Sequence, residues 1–298
     1  MLDFKSEDMN LLVQQGKLID DRSRDFIKDA LGLKKKKVEA TKHTFLSGPP
    51  GVGKTYGTID ECRKNKVNHI VIPPGMTDIA LTIKLAVAVY NLAPSEELVV
   101  ILDDADDVVF SDYKTLNKWK IAMADVDYDA GLIPMYNHPV NMSNTITTLQ
   151  KQADIDPKRQ VIVDALTSFI TSDSVGVSIP MDKVRFITLC NADLEDSKLF
   201  KGKLKSAVPP VLDRAKYKRI DVDWEKQWGW TSYVLSSTQP FEEHDLTDDQ
   251  KVALMDWMFN NWHDLRSTSY RTVRRLAEAM INEPKSYKDL WMQEKRGH

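Results

Sequence analysis

The chain reads as an α/β protein: a doubly wound parallel sheet followed by an all-helical C-terminal segment. Three observations predict this. Short strand-like runs at 44–47, 69–73, 98–103 and 184–191 alternate with stretches of helical character. Two of those runs, Leu98-Val-Val-Ile-Leu-Asp and Val184-Arg-Phe-Ile-Thr-Leu-Cys-Asn, are largely apolar up to their last residue, as strands buried on both faces are. Beyond about residue 224 the strand signals stop and only helical periodicity remains.

The elements follow in order. Residues 5–31 read as one or two short helices, because Leu11, Leu12, Leu18, Ile19, Phe26, Ile27 and Leu31 recur at roughly helical spacing. Thr44-Phe-Leu-Ser is a short strand that ends on a glycine-rich turn, and Lys54–Lys64 is the helix after it. His69-Ile-Val-Ile-Pro is a second strand, closed by the turn Pro73-Pro-Gly. The stretch 78–92 is apolar nearly all round, which marks a buried helix. A strand at 98–103, a helix at 113–124 and a buried strand at 184–191 come next, then a more polar last strand at 217–223. In the helical segment, Thr247-Asp-Asp-Gln250 is a capping box. It opens a helix expected to carry Val252, Met255, Phe259 and Trp262 on one face. A second helix places Val273, Leu276, Ala277 and Met280 together. The expected organisation is an N-terminal helical segment at 1–42, a core at 43–223 and an α-helical domain at 224–298. The core carries an insertion at about 125–182, acidic on balance, with a helix over 157–169.

Bulk properties narrow the function. The 298 residues suffice for one α/β core and a smaller appended domain, with 42% hydrophobic and 29% charged residues. No apolar run approaches the ~18 residues of a membrane helix, and the N-terminus lacks a signal-peptide pattern. A cytoplasmic protein with no membrane partner is expected. Cys62 and Cys190 are far apart and form no metal-binding spacing, so they read as reduced thiols. The net charge of −3 argues against a protein that grips duplex DNA with its whole surface. A local basic groove or a nucleic-acid-bound partner stays open. The tetralysine at 34–37 reads as a solvated loop.

The chemistry concentrates in two places. Gly48-Pro49-Pro50-Gly51-Val52-Gly53-Lys54-Thr55 fits G-x-x-x-x-G-K-[ST], between a strand and a helix as that motif requires. Its glycines let backbone N–H groups turn inward toward phosphate oxygens, and the following helix adds the positive end of its dipole. Lys54 can bridge the β- and γ-phosphates, and the Thr55 hydroxyl can ligate Mg²⁺. The cofactors implied are ATP and Mg²⁺. The apolar strand that starts at Leu98 ends in the paired acids Asp103 and Asp104. Asp103 would hold the Mg²⁺ through water, and Asp104 would orient and deprotonate the attacking water. Asp106 and Asp107 read as a solvated helix start, where negative charge is favourable.

Over 44–280 the chain resembles AAA+ P-loop ATPases, and more narrowly the small single-module AAA+ proteins of tailed phages. The two motifs carry the likeness, together with Pro74-Gly-Met-Thr-Asp-Ile-Ala-Leu and the run from Ile101 to Phe110. The resemblance implies that Asn191, at a strand end, is the sensor residue between γ-phosphate and water. It implies that Arg214, or secondarily Arg219, is an arginine finger serving the neighbouring subunit's ATP. Arg271, in the first turn of a helix, would be the second sensor; Arg274 and Arg275 read as solvated or ion-paired. It further implies a homo-oligomeric ring or spiral that remodels a protein or protein–nucleic-acid partner, in the host-cell cytoplasm if phage-encoded. The alternatives are a slow nucleotide-dependent switch or loader, or a nucleotide kinase. Two departures stand out. Many relatives carry Glu where this chain has Asp104, and the segment after the second strand, Ile72-Pro-Pro-Gly-Met76, lacks the aromatic residue of peptide-threading relatives. The acidic insertion is expected to recognise a protein partner.

Overall fold

The computed structural model describes residues 7–34, 41–76, 78–123, 132–134, 146–148, 150–151, 160, 163–164, 167, 176–179, 181–196, 198–237 and 246–295. Residues 35–37 of the tetralysine, and Tyr128, Tyr136, Asn137 and His138 of the insertion, lie outside them. Of the helix expected over 157–169, residues 160, 163, 164 and 167 are described, and all are helical.

The core is a five-stranded, all-parallel sheet flanked by helices, a Rossmann-like arrangement. Its strands are β1 (Thr44–Ser47), β2 (His69–Ile72), β3 (Leu98–Leu102), β6 (Val184–Cys190) and β7 (Lys216–Arg219). Their spatial order is β2-β3-β6-β1-β7. A separate antiparallel pair, β4 (Leu132–Pro134) and β5 (Gly176–Ser178), belongs to the insertion. The crossovers run through α2 (Lys54–Lys64), α3 (Asp78–Tyr90), α4 (Ala105–Val108), α5 (Tyr113–Ala122) and α6 (Gly202–Leu212). Every residue of β1, β3 and β6 is buried, which accounts for their continuous apolar character. β7 lies at the edge, half-buried, and its Lys-Tyr-Lys-Arg sequence suits that place. Leu85, Val100, Leu102, Leu116, Trp119 and Phe186 form the centre of the core. Each such side chain contributes roughly 1.5–3 kcal/mol by leaving water.

By compactness the chain divides into two units. One comprises residues 26–47 and 55–219, the sheet and its helices; the other comprises 1–25, 48–54 and 220–298. In the second unit, α7 (Trp224–Ser237), α8 (Asp248–Asn261), α9 (Tyr270–Asn282) and α10 (Tyr287–Gln293) bury Trp228, Leu254, Met258, Leu276 and Trp291 together. The N-terminal stretch is a single helix, α1 (Glu7–Ala30), rather than two. Its middle crosses α7 at very close range. A Cβ on Gly16 would stand 2.0 Å from the carbonyl oxygen of Gly229, so only glycine lets these backbones meet.

One local reading needs correction. Of the face expected on α8, Met255 is buried and Phe259 and Trp262 pack against the same cluster, but Val252 points to solvent at 49% exposure, and Leu254 and Met258 complete the buried side. The capping box at its start is formed as read, with the Thr247 hydroxyl accepting from the Gln250 N–H. The sequence does not announce α6, because Pro209 and Pro210 sit inside it. Packing overrides the local signal: Val208 and Val211 are buried, and α6 lies against α5.

Candidate functional site

The sheet order brings the ends of three strands side by side. In register, Ser47 of β1 pairs with Cys190 of β6, and Leu102 of β3 pairs with Thr188 of β6. The residues that follow these strands therefore leave the same edge of the sheet: Asn191 from the central strand, Asp103 and Asp104 beside it. In open α/β sheets this carboxyl edge is where ligands bind.

The side chains there are joined to one another. The Thr55 hydroxyl donates to Asp103 Oδ1 at 2.7 Å. The same oxygen accepts from the Asp104 N–H at 3.2 Å. Asp104 is exposed and holds a left-handed backbone, φ 45° and ψ 49°, at the N-cap of α4. For a residue with a Cβ this conformation costs roughly 1–2 kcal/mol, and such strain collects at functional sites. Asn191 Nδ2 donates to Asp104 Oδ1 at 3.4 Å. Thus Thr55, Asp103, Asp104 and Asn191 form one connected group of oxygen and amide functions.

Asp106 has a larger part than its sequence context suggests. It is not merely a solvated start to a helix: its carboxylate accepts from the Asn191 N–H at 2.7 Å and from the Ala192 N–H at 3.2 Å. From the β1 side, the Ser47 hydroxyl donates to the Ala192 carbonyl at 2.6 Å. From β7, the Tyr217 hydroxyl donates to Asp193 Oδ1 at 2.9 Å and accepts from the Leu194 N–H at 3.2 Å. Burial, more than its hydrogen bonds, pushes the Tyr217 phenol up to about 12, so it remains a neutral donor. Arg219 is ion-paired with Asp193.

The glycine-rich loop is built within the other unit. Gly51 and Gly53 have φ of +83° and +75°, where side chains are strained. A Cβ on Gly51 would come within 2.6 Å of Ser269 Cβ, and one on Gly53 within 2.7 Å of the Trp230 ring. The Gln227 amide donates to the Pro50 carbonyl at 2.7 Å. Lys54 is 7% exposed, and its ammonium donates to the Gly48 carbonyl at 2.6 Å and the Pro49 carbonyl at 2.9 Å. Ser269 immediately precedes α9, so Arg271, exposed in the first turn of that helix, belongs to the helix whose start packs on the loop. Arg275 bonds to Glu294.

Arg214 follows α6, half-buried, and its guanidinium donates to the Pro210 carbonyl of its own helix. Gln227, Trp230 and Asp106 were not legible as site residues. Nothing near them in sequence hints at their partners, which lie 177 residues away for Gln227 and 85 for Asp106. Cys62 and Cys190 are both buried, and burial pushes the Cys62 thiol up to about 11, away from reactive thiolate character.

No protein-family model matches the chain. Among curated proteins, the "Uncharacterized 36.7 kDa protein in nrdC-mobD intergenic region" of Enterobacteria phage T4 is 23% identical over 250 residues, which is 83% of this chain. The chain spans 66% of that protein's length. This similarity supports a phage-like origin. Among the described residues, no helix is long and apolar enough to cross a membrane.

Proposed function

We propose that this chain is an AAA+-like ATPase that binds Mg·ATP through residues 48–55 and hydrolyses it with Asp104 and Asn191. It would work as a homo-oligomer that remodels a protein or protein–nucleic-acid partner. The observation that carries the reading is the 2.7 Å bond between the Thr55 hydroxyl and Asp103. These two residues would share a cation if the loop is a phosphate loop, and they already meet.

The residues fit the group. Thr55 and Asp103 are hard oxygen ligands, and Mg²⁺ is commonly held by one or two carboxylates together with substrate phosphates. When bound, Mg²⁺ would neutralise charge on the β- and γ-phosphates. The backbone at Gly51 and Gly53 has conformations and close neighbours that exclude a side chain, as a cradle for phosphate oxygens requires. Lys54 would exchange the carbonyls of Gly48 and Pro49 for phosphate oxygens. Asp104, whose carboxylate is exposed, would take a proton from the attacking water while Asn191 holds that water in line. The water oxygen forms a bond to the γ-phosphorus, and the bond from that phosphorus to the β–γ bridging oxygen breaks. Arg271, on the helix whose start packs on the loop, would pair with the γ-phosphate. Arg214 would leave its own helix to meet a neighbouring subunit's ATP.

Nucleotide binding by calorimetry and steady-state phosphate release test the proposal. Wild-type protein should bind Mg·ATP and release phosphate, and Lys54→Ala should lose most of the affinity. Unchanged affinity in Lys54→Ala would remove the loop from the site.

A further inference from the structure

We infer that Asp106 is a positioning residue for ATP hydrolysis: its carboxylate sets the backbone of Asn191, and through it the carboxamide that faces Asp104. The inference rests on the ATPase reading above. It assigns a task to a residue that the phosphate-loop and strand-end motifs leave unused.

The geometry is specific. Asn191 is the first residue beyond β6, where the strand ladder no longer fixes the chain. A side chain there inherits every rotation of its backbone. Asp106 removes that freedom with both carboxylate oxygens, Oδ2 to the Asn191 N–H at 2.7 Å and Oδ1 to the Ala192 N–H at 3.2 Å. Two N–H donors to one carboxylate are charge-assisted hydrogen bonds, about twice as strong as neutral ones. Asp106 itself is fixed by α4, the short helix that begins directly after Asp104. The same turn therefore carries the carboxylate proposed to accept the proton and the clamp on the carboxamide opposite it. Ser47 completes the hold by donating to the Ala192 carbonyl. The 3.4 Å approach of Asn191 Nδ2 to Asp104 Oδ1 results from these constraints acting together.

Asp106 touches neither phosphate nor water in this scheme, so its loss should act on turnover rather than on binding. Asp106→Ala should lower kcat by roughly 10²-fold, the scale on which a small misplacement of a catalytic group acts. ATP affinity by calorimetry should stay within about threefold. Asp106→Asn keeps the shape but one acceptor oxygen, and should fall between the two. If Asp106 acts through Asn191, then Asp106→Ala combined with Asn191→Ala should be no slower than Asn191→Ala alone.

Hydrogen exchange by mass spectrometry gives a readout that does not depend on activity. In Asp106→Ala and Asp106→Asn, the amides of Asn191 and Ala192 should exchange faster, while peptides from α2 and α3 keep their wild-type rates. Multiplying kinetic losses in the double variant would overturn the inference, as would unchanged exchange at 191–192 or a kcat within twofold of wild type. A wild-type protein that releases no phosphate would defeat the ATPase reading instead, and the exchange experiment would still decide whether Asp106 holds this backbone.

Discussion

The crossing of α1 and α7 supplies a test of the packing argument that needs no ligand. Alanine favours a helix interior over glycine by about 1 kcal/mol, so Gly16→Ala should stabilise an isolated α1. In the folded chain the added Cβ would lie 2.0 Å from Gly229 O, 2.4 Å from Gly229 C and 2.8 Å from Trp230 N. All three atoms are backbone, and no rotamer change can move them. Overpacking of this kind costs ~1–3 kcal/mol, and with two helix backbones forced apart the upper end applies. The balance is a net loss of about 2 kcal/mol, or roughly 4 °C in melting temperature for a chain of this size. Gly57→Ala is the matched control. It also lies in a helix interior, but its nearest neighbour is the Ile27 Cδ1 methyl at 3.0 Å, the far end of a flexible side chain. That variant should be neutral or gain up to ~1 kcal/mol. Urea unfolding and calorimetry on wild type and both variants give the comparison. A Gly16→Ala protein as stable as wild type would refute the close crossing and the steric reasoning with it.

Two further outcomes follow from the site. Asp104→Gly should relieve the left-handed backbone and leave the fold as stable or up to ~1 kcal/mol more so, while turnover collapses with the carboxylate. Loss of both stability and turnover would mean that the Asp104 side chain supports the fold. Subunits carrying Arg214→Ala, mixed with subunits carrying Asp104→Asn, should recover part of the ATPase activity that each lacks alone, because a mixed interface joins an intact finger to an intact base. Absence of recovery in demonstrated co-assemblies would take the trans role away from Arg214.

Much of the sheet is legible in the sequence because its evidence is local. A short continuous apolar run such as Leu98–Leu102, only five residues long and rich in Val and Ile, suits a strand covered on both faces, and glycines at 51 and 53 announce a turn that side chains cannot make. The order of the strands is not local, and neither is the placing of Asn191 beside Asp104, which depends on β6 lying between β1 and β3. Asp106 misleads for a physical reason: an acid in the first turn of a helix is already explained by the dipole, so nothing suggests a second task. The prolines at 209 and 210 mislead in the opposite sense, since they suppress a helical reading that tertiary packing restores. In α8 the capping box and most of the inward face are readable, but Val252 is not placed correctly, because Val252 and Leu254 are equally apolar and only the neighbours decide between them.

The glycine-rich loop has a consequence for how this chain can vary. Residues 48–54 lie early in the sequence, yet Gln227, Trp230 and Ser269, from the last quarter, are the side chains packed around them. A recombination event that joined the first 220 residues of one lineage to the remainder of another would separate the loop from the residues shaped to it. Positions 51 and 269, and likewise 53 and 230, should therefore be inherited as pairs. Where a relative carries a bulkier residue at 269, a compensating shift in the loop backbone should accompany it.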